Sequence, residues 1–160
     1  MSLEWRKSLM ARWKAIRSFI SITCLATGSF LYLLFRSKSL LMFRWADSIG
    51  LNSQIEAARM WIHDVNVQLP IWAIYSMPYA LWVLAYMIAI DVIWDGARIF
   101  ARHVWFWSVP VAAVLSELAQ GLHMIPGRFD LTDLASIALA SLLGFGVSNV
   151  TRQREGIAAL

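Results

Sequence analysis

Four long apolar runs frame this chain, at about residues 18–35, 70–93, 103–122 and 131–149. Each is close to the ~17–25 residues that a helix needs to cross a bilayer. The stretch between the first two runs, 36–69, is too polar to span. It carries Arg36, Lys38, Arg44, Asp47, Glu56, Arg59, His63 and Asp64, while Leu40, Leu41, Phe43, Trp45 and Ile49 keep it against a surface. Ser53 followed by Glu56 is a capping-box pattern, in which side chains and free backbone N–H groups bond reciprocally. It predicts a short helix from about Gln54 to Asp64. Ahead of the first run, Arg6, Lys7, Arg12, Lys14 and Arg17 interleave with Trp5, Leu9, Trp13 and Ile16 at helical spacing. Residues 1–17 are therefore expected to form an amphipathic helix lying on a membrane surface. The pattern as a whole predicts an all-α membrane protein with four transmembrane helices. It adds an N-terminal amphipathic helix, an outer-face loop containing a short helix, and a tail over 150–160.

Pro70 opens the second run, where Trp72, Tyr75, Tyr79, Trp82 and Tyr86 recur at steps of three and four. That spacing lines five rings along one helix face. The stripe packs against a neighbouring helix or, if it faces the last hairpin, gives a groove of Tyr75, Tyr79 and Trp82 sized for a sugar or a lipid. Pro78 is expected to kink this helix. Asp91 and Asp95 mark its exit, with Arg98 and Arg102 in a short loop beyond. On the fourth run Ser136, Ala140, Gly144 and Ser148 recur every four residues. Small side chains at that step let two helix backbones approach closely.

Composition agrees with this pattern. Apolar residues make up 59% and charged residues 15%, against about 45–50% and about 25% in soluble domains. Nine Trp suit the headgroup zone. The net charge of +4 is concentrated in the first seventeen residues, beside an apolar run. This points to anionic lipid rather than nucleic acid. With both termini inside, nine Lys/Arg are cytoplasmic and five lie outside, so the positive-inside rule favours that orientation. No A-x-A-like cleavage site follows the first run, which argues against a signal peptide. Cys24 is the only cysteine, so neither an intramolecular disulfide nor a thiolate metal cluster is expected.

The chemistry concentrates in Ser116–Gly144. Glu117 and Gln120 lie near the end of the third run and share a helix face with Ala113 and Met124. A Pro126–Gly127 turn follows, then Arg128, Asp130 and Asp133. Charges so placed in a membrane protein need partners or a function. In the structural reading, a Glu117–Arg128 pair pins the turn, Asp130 caps the next helix and Asp133 is its capping-box partner. In the functional reading the five groups line a polar site open to the outer leaflet. Arg128 then holds a phosphate or carboxylate through its planar fork. Glu117 and one Asp accept hydrogen bonds or move protons. His123 has no second His or Cys beside it, and no metal or cofactor is expected. There is no nucleophile elbow, P-loop or H-E-x-x-H motif, so nothing compels an enzyme.

The hairpin resembles the VanZ-like family of small bacterial membrane proteins, named for a member linked to teicoplanin resistance. That pattern runs Glu, Gln three later, a turn with Arg, two Asp, then glycines. Glu117, Gln120, Arg128, Asp130, Asp133 and Gly144 fill the matching places. Ile137 stands where the family tends to have Asn, and Ala140 where it tends to have Gly. The second run lacks the Asp-Lys and His of many members. The likeness covers roughly 110–146, and the first half by layout alone. It implies a multi-pass protein of the bacterial inner membrane, acting near cell-envelope glycans or glycolipids. The expected function is binding of an anionic lipid or lipid-linked glycan headgroup at the outer face. The alternative is a non-catalytic subunit that docks on another membrane protein through its fourth helix.

Overall fold

In the computed structural model, residues 3–38, 40–95 and 99–159 are described, and they form seven helices with no strand among them. The first, α1, is one rod of 33 residues, Leu3–Phe35. At 1.5 Å per residue it is about 50 Å long. The expected division at residue 17 is absent. No Gly or Pro interrupts residues 3–27, and most are good helix formers. Arg17, at the expected boundary, is fully buried and ion-paired, so the chain has no need to bend there.

The polar segment holds two short helices, α2 (Leu41–Ser48) and α3 (Asn52–Asp64). The second is the helix the sequence predicts, but the capping box does not form. Leu51 is the N-cap with no side-chain cap bond, and Ser53 lies inside the helix. Glu56 instead pairs with Lys38 at 2.5 Å. The second apolar run is broken into α4 (Ile71–Tyr75) and α5 (Met77–Ile93), with the break at Ser76 rather than a kink at Pro78. Pro78 falls in the first turn of α5, where its missing N–H is not needed. The remaining helices are α6 (Phe100–Gly121) and α7 (Leu131–Ala159), the latter continuing through the expected tail.

Two helices, not four, are long and apolar enough to cross a membrane by length and composition: α1 over Lys7–Phe35 and α7 over Leu131–Thr151. The apolar α5 is 17 residues long, and α6 carries Arg102, His103 and Glu117 along its 22 residues.

Residue pairs fix the relative directions. Arg17 meets Asp91 and Gly28 meets Trp82, so α1 and α5 are antiparallel. Arg102 meets Asp91 and Ser108 meets Tyr86, so α6 also opposes α5. Ser136 meets Ser76 and Ser148 meets Asp91, so α7 runs with α5. The result is an up-down-up-down arrangement of α1, α5, α6 and α7 with α5 central. Both termini lie at one end, and the α6–α7 hairpin lies at the other.

Val83, Met87 and Ile90 of α5 pack with Phe106 of α6 and with Ile137 and Ala140 of α7. This core lies between two polar ends. Ile137 is 2% exposed within it. Away from it, large apolar residues stay exposed, including Phe19, Ile22 and Phe30 of α1 and Leu139, Leu142 and Leu143 of α7.

Candidate functional site

The hairpin end is built by the turn between α6 and α7. The last turn of α6 closes through Leu118 and Gln120 carbonyls, which accept the Leu122 and His123 N–H groups. His123 takes a positive φ of 58°, reversing the chain direction. Gly127 has φ 145°, and a Cβ there would fall 2.5 Å from the Gln120 side chain. A side chain at 127 would thus displace Gln120, which explains the glycine. Gln120 lies against the turn as a buttress.

Asp130 opens α7 as expected. Its side chain accepts the Thr132 N–H at 2.8 Å, and its carbonyl accepts from Leu134. The bonds from Thr132 hold its carboxyl below the ordinary range, and Arg128 adds to this through space. The reciprocal half of the cap comes from an unexpected place. The Asp130 N–H donates to Glu117 Oε2 at 3.5 Å, not to Asp133. Glu117, 8% exposed, thereby ties the end of α6 to the start of α7.

Asp133 is left with a buried Oδ1 that has no donor among the described residues. Arg128 is exposed and forms no ion pair with Glu117 among those residues, because the Pro-Gly turn carries it outward beside Asp130. The expected Glu117–Arg128 pin is therefore replaced by a Glu117–backbone bond.

The aromatic stripe divides its duties. Trp82 packs on Tyr32 of α1, with centroids 5.2 Å apart, and edge-on against Tyr79 at 5.8 Å. Tyr86 donates its hydroxyl to the Trp105 carbonyl at 2.8 Å and so joins α5 to α6. Tyr75 and Tyr79, both partly exposed, lie at the hairpin end. Tyr79 is within electrostatic reach of Arg36, Asp133 and Glu117. The neighbouring Ser76 carbonyl accepts from Ser136 of α7 at 3.4 Å, so the break between α4 and α5 lies against the first turns of α7.

Arg36 is the group that sequence reasoning missed. Just past α1, its guanidinium lies 4.5 Å from the Tyr75 ring centre and 5.5 Å from Tyr32. Arg59 of α3 holds the segment in place by donating to the Leu33 and Arg36 carbonyls at 2.8 and 3.0 Å. A cation at the negative end of α1 is favourably placed. Beside it, a cleft of about 550 Å³ opens between the end of α1 and α3, lined by Leu34, Phe35, Met60, Ile62, Val67 and His63, among others.

The opposite end holds a second polar cluster that the sequence did not single out. Asp91, 1% exposed, accepts from Arg17 of α1 and Arg102 of α6, each at 2.5 Å, and from Ser148 of α7 at 2.8 Å. Arg17 also bonds Asp95 at 2.8 Å, and Lys14 lies 3.8 Å from Asp95. One carboxylate of α5 thus binds three other helices. The available signal was Asp91 and Asp95 one helical turn apart. Arg102 was assigned to a loop because the third run seemed to begin after it.

The small-residue ladder is used inside the chain. A Cβ on Gly144 would lie 2.9 Å from the Met87 side chain, Ala140 is in the core, and Ser148 bonds Asp91. No group of three or more metal-ligating side chains is present among the described residues. Comparison with protein-family models, with curated proteins and with solved structures gave no match.

Proposed function

We propose that this chain is a four-span protein of the bacterial inner membrane that binds an anionic lipid or lipid-linked glycan headgroup at its hairpin end. The termini then face the cytoplasm and the hairpin faces outward. The carrying observation is geometric: Arg36 lies over Tyr75, the adjacent Ser76 carbonyl accepts from Ser136 of α7, and Glu117 accepts from the Asp130 N–H, so the cation and the hairpin carboxylates share one end of the bundle, with Arg128 exposed there. A cation held by rings but free in its N–H donors is a ready anchor for phosphate or carboxylate.

The membrane reading is supported by the exposed apolar faces of α1 and α7, which exceed the scattered apolar residues of a soluble surface. It is supported too by the excess of Lys/Arg at the termini end. In this reading α5 and α6 cross beside α1 and α7, with the α6 charges turned to internal partners: Arg102 to Asp91, and Glu117 to the hairpin backbone. The likeness to VanZ-like proteins points to the same compartment and to envelope lipids or glycans as ligands. The alternative, a subunit docked through the α7 ladder, needs a surface that α5 already covers.

The test is binding of phosphatidylglycerol, against phosphatidylcholine, by the purified full chain reconstituted in nanodiscs. Binding that requires the anionic lipid, and that weakens in Arg36→Ala and Arg128→Ala variants of normal helicity, supports the reading. Full headgroup binding by both well-folded variants would overturn it.

A further inference from the structure

The hairpin end carries a cation and two carboxylates whose protein partners do not complete them. The Arg36 guanidinium rests on Tyr75 and Tyr32 and makes no hydrogen bond or ion pair among the described residues. Asp133 Oδ1 is buried without a donor. Glu117 receives one long bond, at 3.5 Å, through Oε2. Ser136 of α7 donates to the Ser76 carbonyl at 3.4 Å, which brings neighbouring Tyr75, and the Arg36 guanidinium over its ring, to the Asp133 end of α7. A simple anion would gain from the cation and be repelled by the two carboxylates, so the site is poorly built for one. Two carboxylates at the same end as the cation favour a ligand that brings its own donors beside its acidic group.

Resting on the headgroup reading above, we propose that the ligand pairs an acidic group with adjacent hydroxyl or amine donors. The phosphate or carboxylate binds Arg36, and the neighbouring O–H or N–H groups donate to Asp133 and Glu117. This is the hydrogen-bonding chemistry of a phosphorylated polyol or sugar headgroup. It separates the site from a general attraction to negative membranes, which Arg36 alone would supply.

The experiment compares two lipids of equal charge in nanodiscs, dioleoyl-phosphatidylglycerol and dioleoyl-phosphatidylmethanol, of which the first carries an added dihydroxyethyl group and the second no headgroup hydroxyl. The purified full chain is expected to prefer the glycerol lipid by about tenfold, the equivalent of ~1.4 kcal/mol. Asp133→Asn should reduce that preference to below about twofold, with phosphatidylmethanol binding strengthened, because one repelling carboxylate is removed. Arg36→Ala should weaken both lipids about equally, by roughly tenfold, with Arg36→Lys partly restoring them. Circular dichroism and a single elution peak confirm that each variant folds. Displacement by soluble glycerol 3-phosphate would support a free phosphorylated ligand, and resistance to it a lipid. Equal binding of the two lipids by the wild-type chain, with both lost in Arg36→Ala, overturns the donor requirement and leaves the headgroup function standing. Binding of neither lipid overturns both.

Discussion

At the termini end, Asp91 is 1% exposed and receives Arg17, Arg102 and Ser148, one from each of the other long helices. At the hairpin end, among the described residues, Asp133 has a buried oxygen with no donor and the Arg36 guanidinium has no hydrogen-bond acceptor. The two clusters lie about 18 Å apart along α5, measured from Tyr79 to Asp91 at 1.5 Å per residue. Between them lies the apolar core of Val83, Met87, Ile90, Phe106, Ile137 and Ala140. Arg17 and Arg102 each leave Nε without an acceptor, but each holds a carboxylate through other nitrogens. The contrast separates two uses of buried charge. A network whose charges meet inside the protein holds helices together, because breaking it strands a charge. Charged groups that end without a protein partner are left to take one from outside.

Removing the hub of the satisfied network tests this contrast most severely. Asp91→Ala would leave Arg102 buried with only Ser148, and Arg17 with only Asp95. Loss of one partner in a buried ion cluster costs about 3–5 kcal/mol. We expect a large fall in melting temperature in detergent and easier proteolysis of α1. A melting curve that overlays the wild type would show that the cluster does not hold the bundle. Next in size is Gly144→Leu, which drives a side chain into Met87 where a Cβ already lies 2.9 Å away. Overpacking of this kind costs about 1–3 kcal/mol. Gly146, two residues on, has nothing within 4 Å, so Gly146→Ala should stabilise by about 0.5–1 kcal/mol. Opposite signs at these two positions would localise the α5–α7 seam to one face of α7.

The sequence carried the helical class and the rough place of the apolar helices, because apolar runs and helical spacing are local signals, but not the continuity of α1 through residue 17, the break at Ser76 or the extension of α7 to Ala159. It also carried the start of α7, since an Asp ahead of an apolar run is a cap whatever surrounds it. What it missed depends on distant partners. Arg17 was read as the end of a surface helix and Arg102 as a loop residue, because a single cation in a sequence gives no sign of a carboxylate 74 or 11 residues away. Glu117 was assigned to Arg128 by proximity in the chain, yet the turn geometry gave it the Asp130 N–H instead. Arg36 looked like one more loop cation. Its place over Tyr75 is set by Arg59 of α3 fixing the end of α1, which only the fold reveals.

A smaller effect is expected where the contrast predicts function without stability. Asp133→Asn removes a charge whose buried oxygen has no donor. Because no favourable bond is lost there, the melting temperature should hold or rise slightly, with a change below about 1 kcal/mol. Headgroup selectivity should fall in the same variant. A clear loss of stability would move Asp133 into the structural class with Asp91.

The smallest stability change belongs to Arg128→Ala. The structural reading of the hairpin needs this arginine as the partner of Glu117, so its removal would strand a buried carboxylate. The observed geometry gives Glu117 the Asp130 N–H and leaves Arg128 exposed beside a carboxylate already held by Thr132. Surface substitutions away from buried partners stay within about 0.5 kcal/mol. Unfolding in denaturant should therefore be indistinguishable from wild type, while binding of phosphatidylglycerol weakens. A destabilised Arg128→Ala would mean that Glu117 draws on the arginine after all, and the hairpin end would then resemble the Asp91 cluster rather than differ from it.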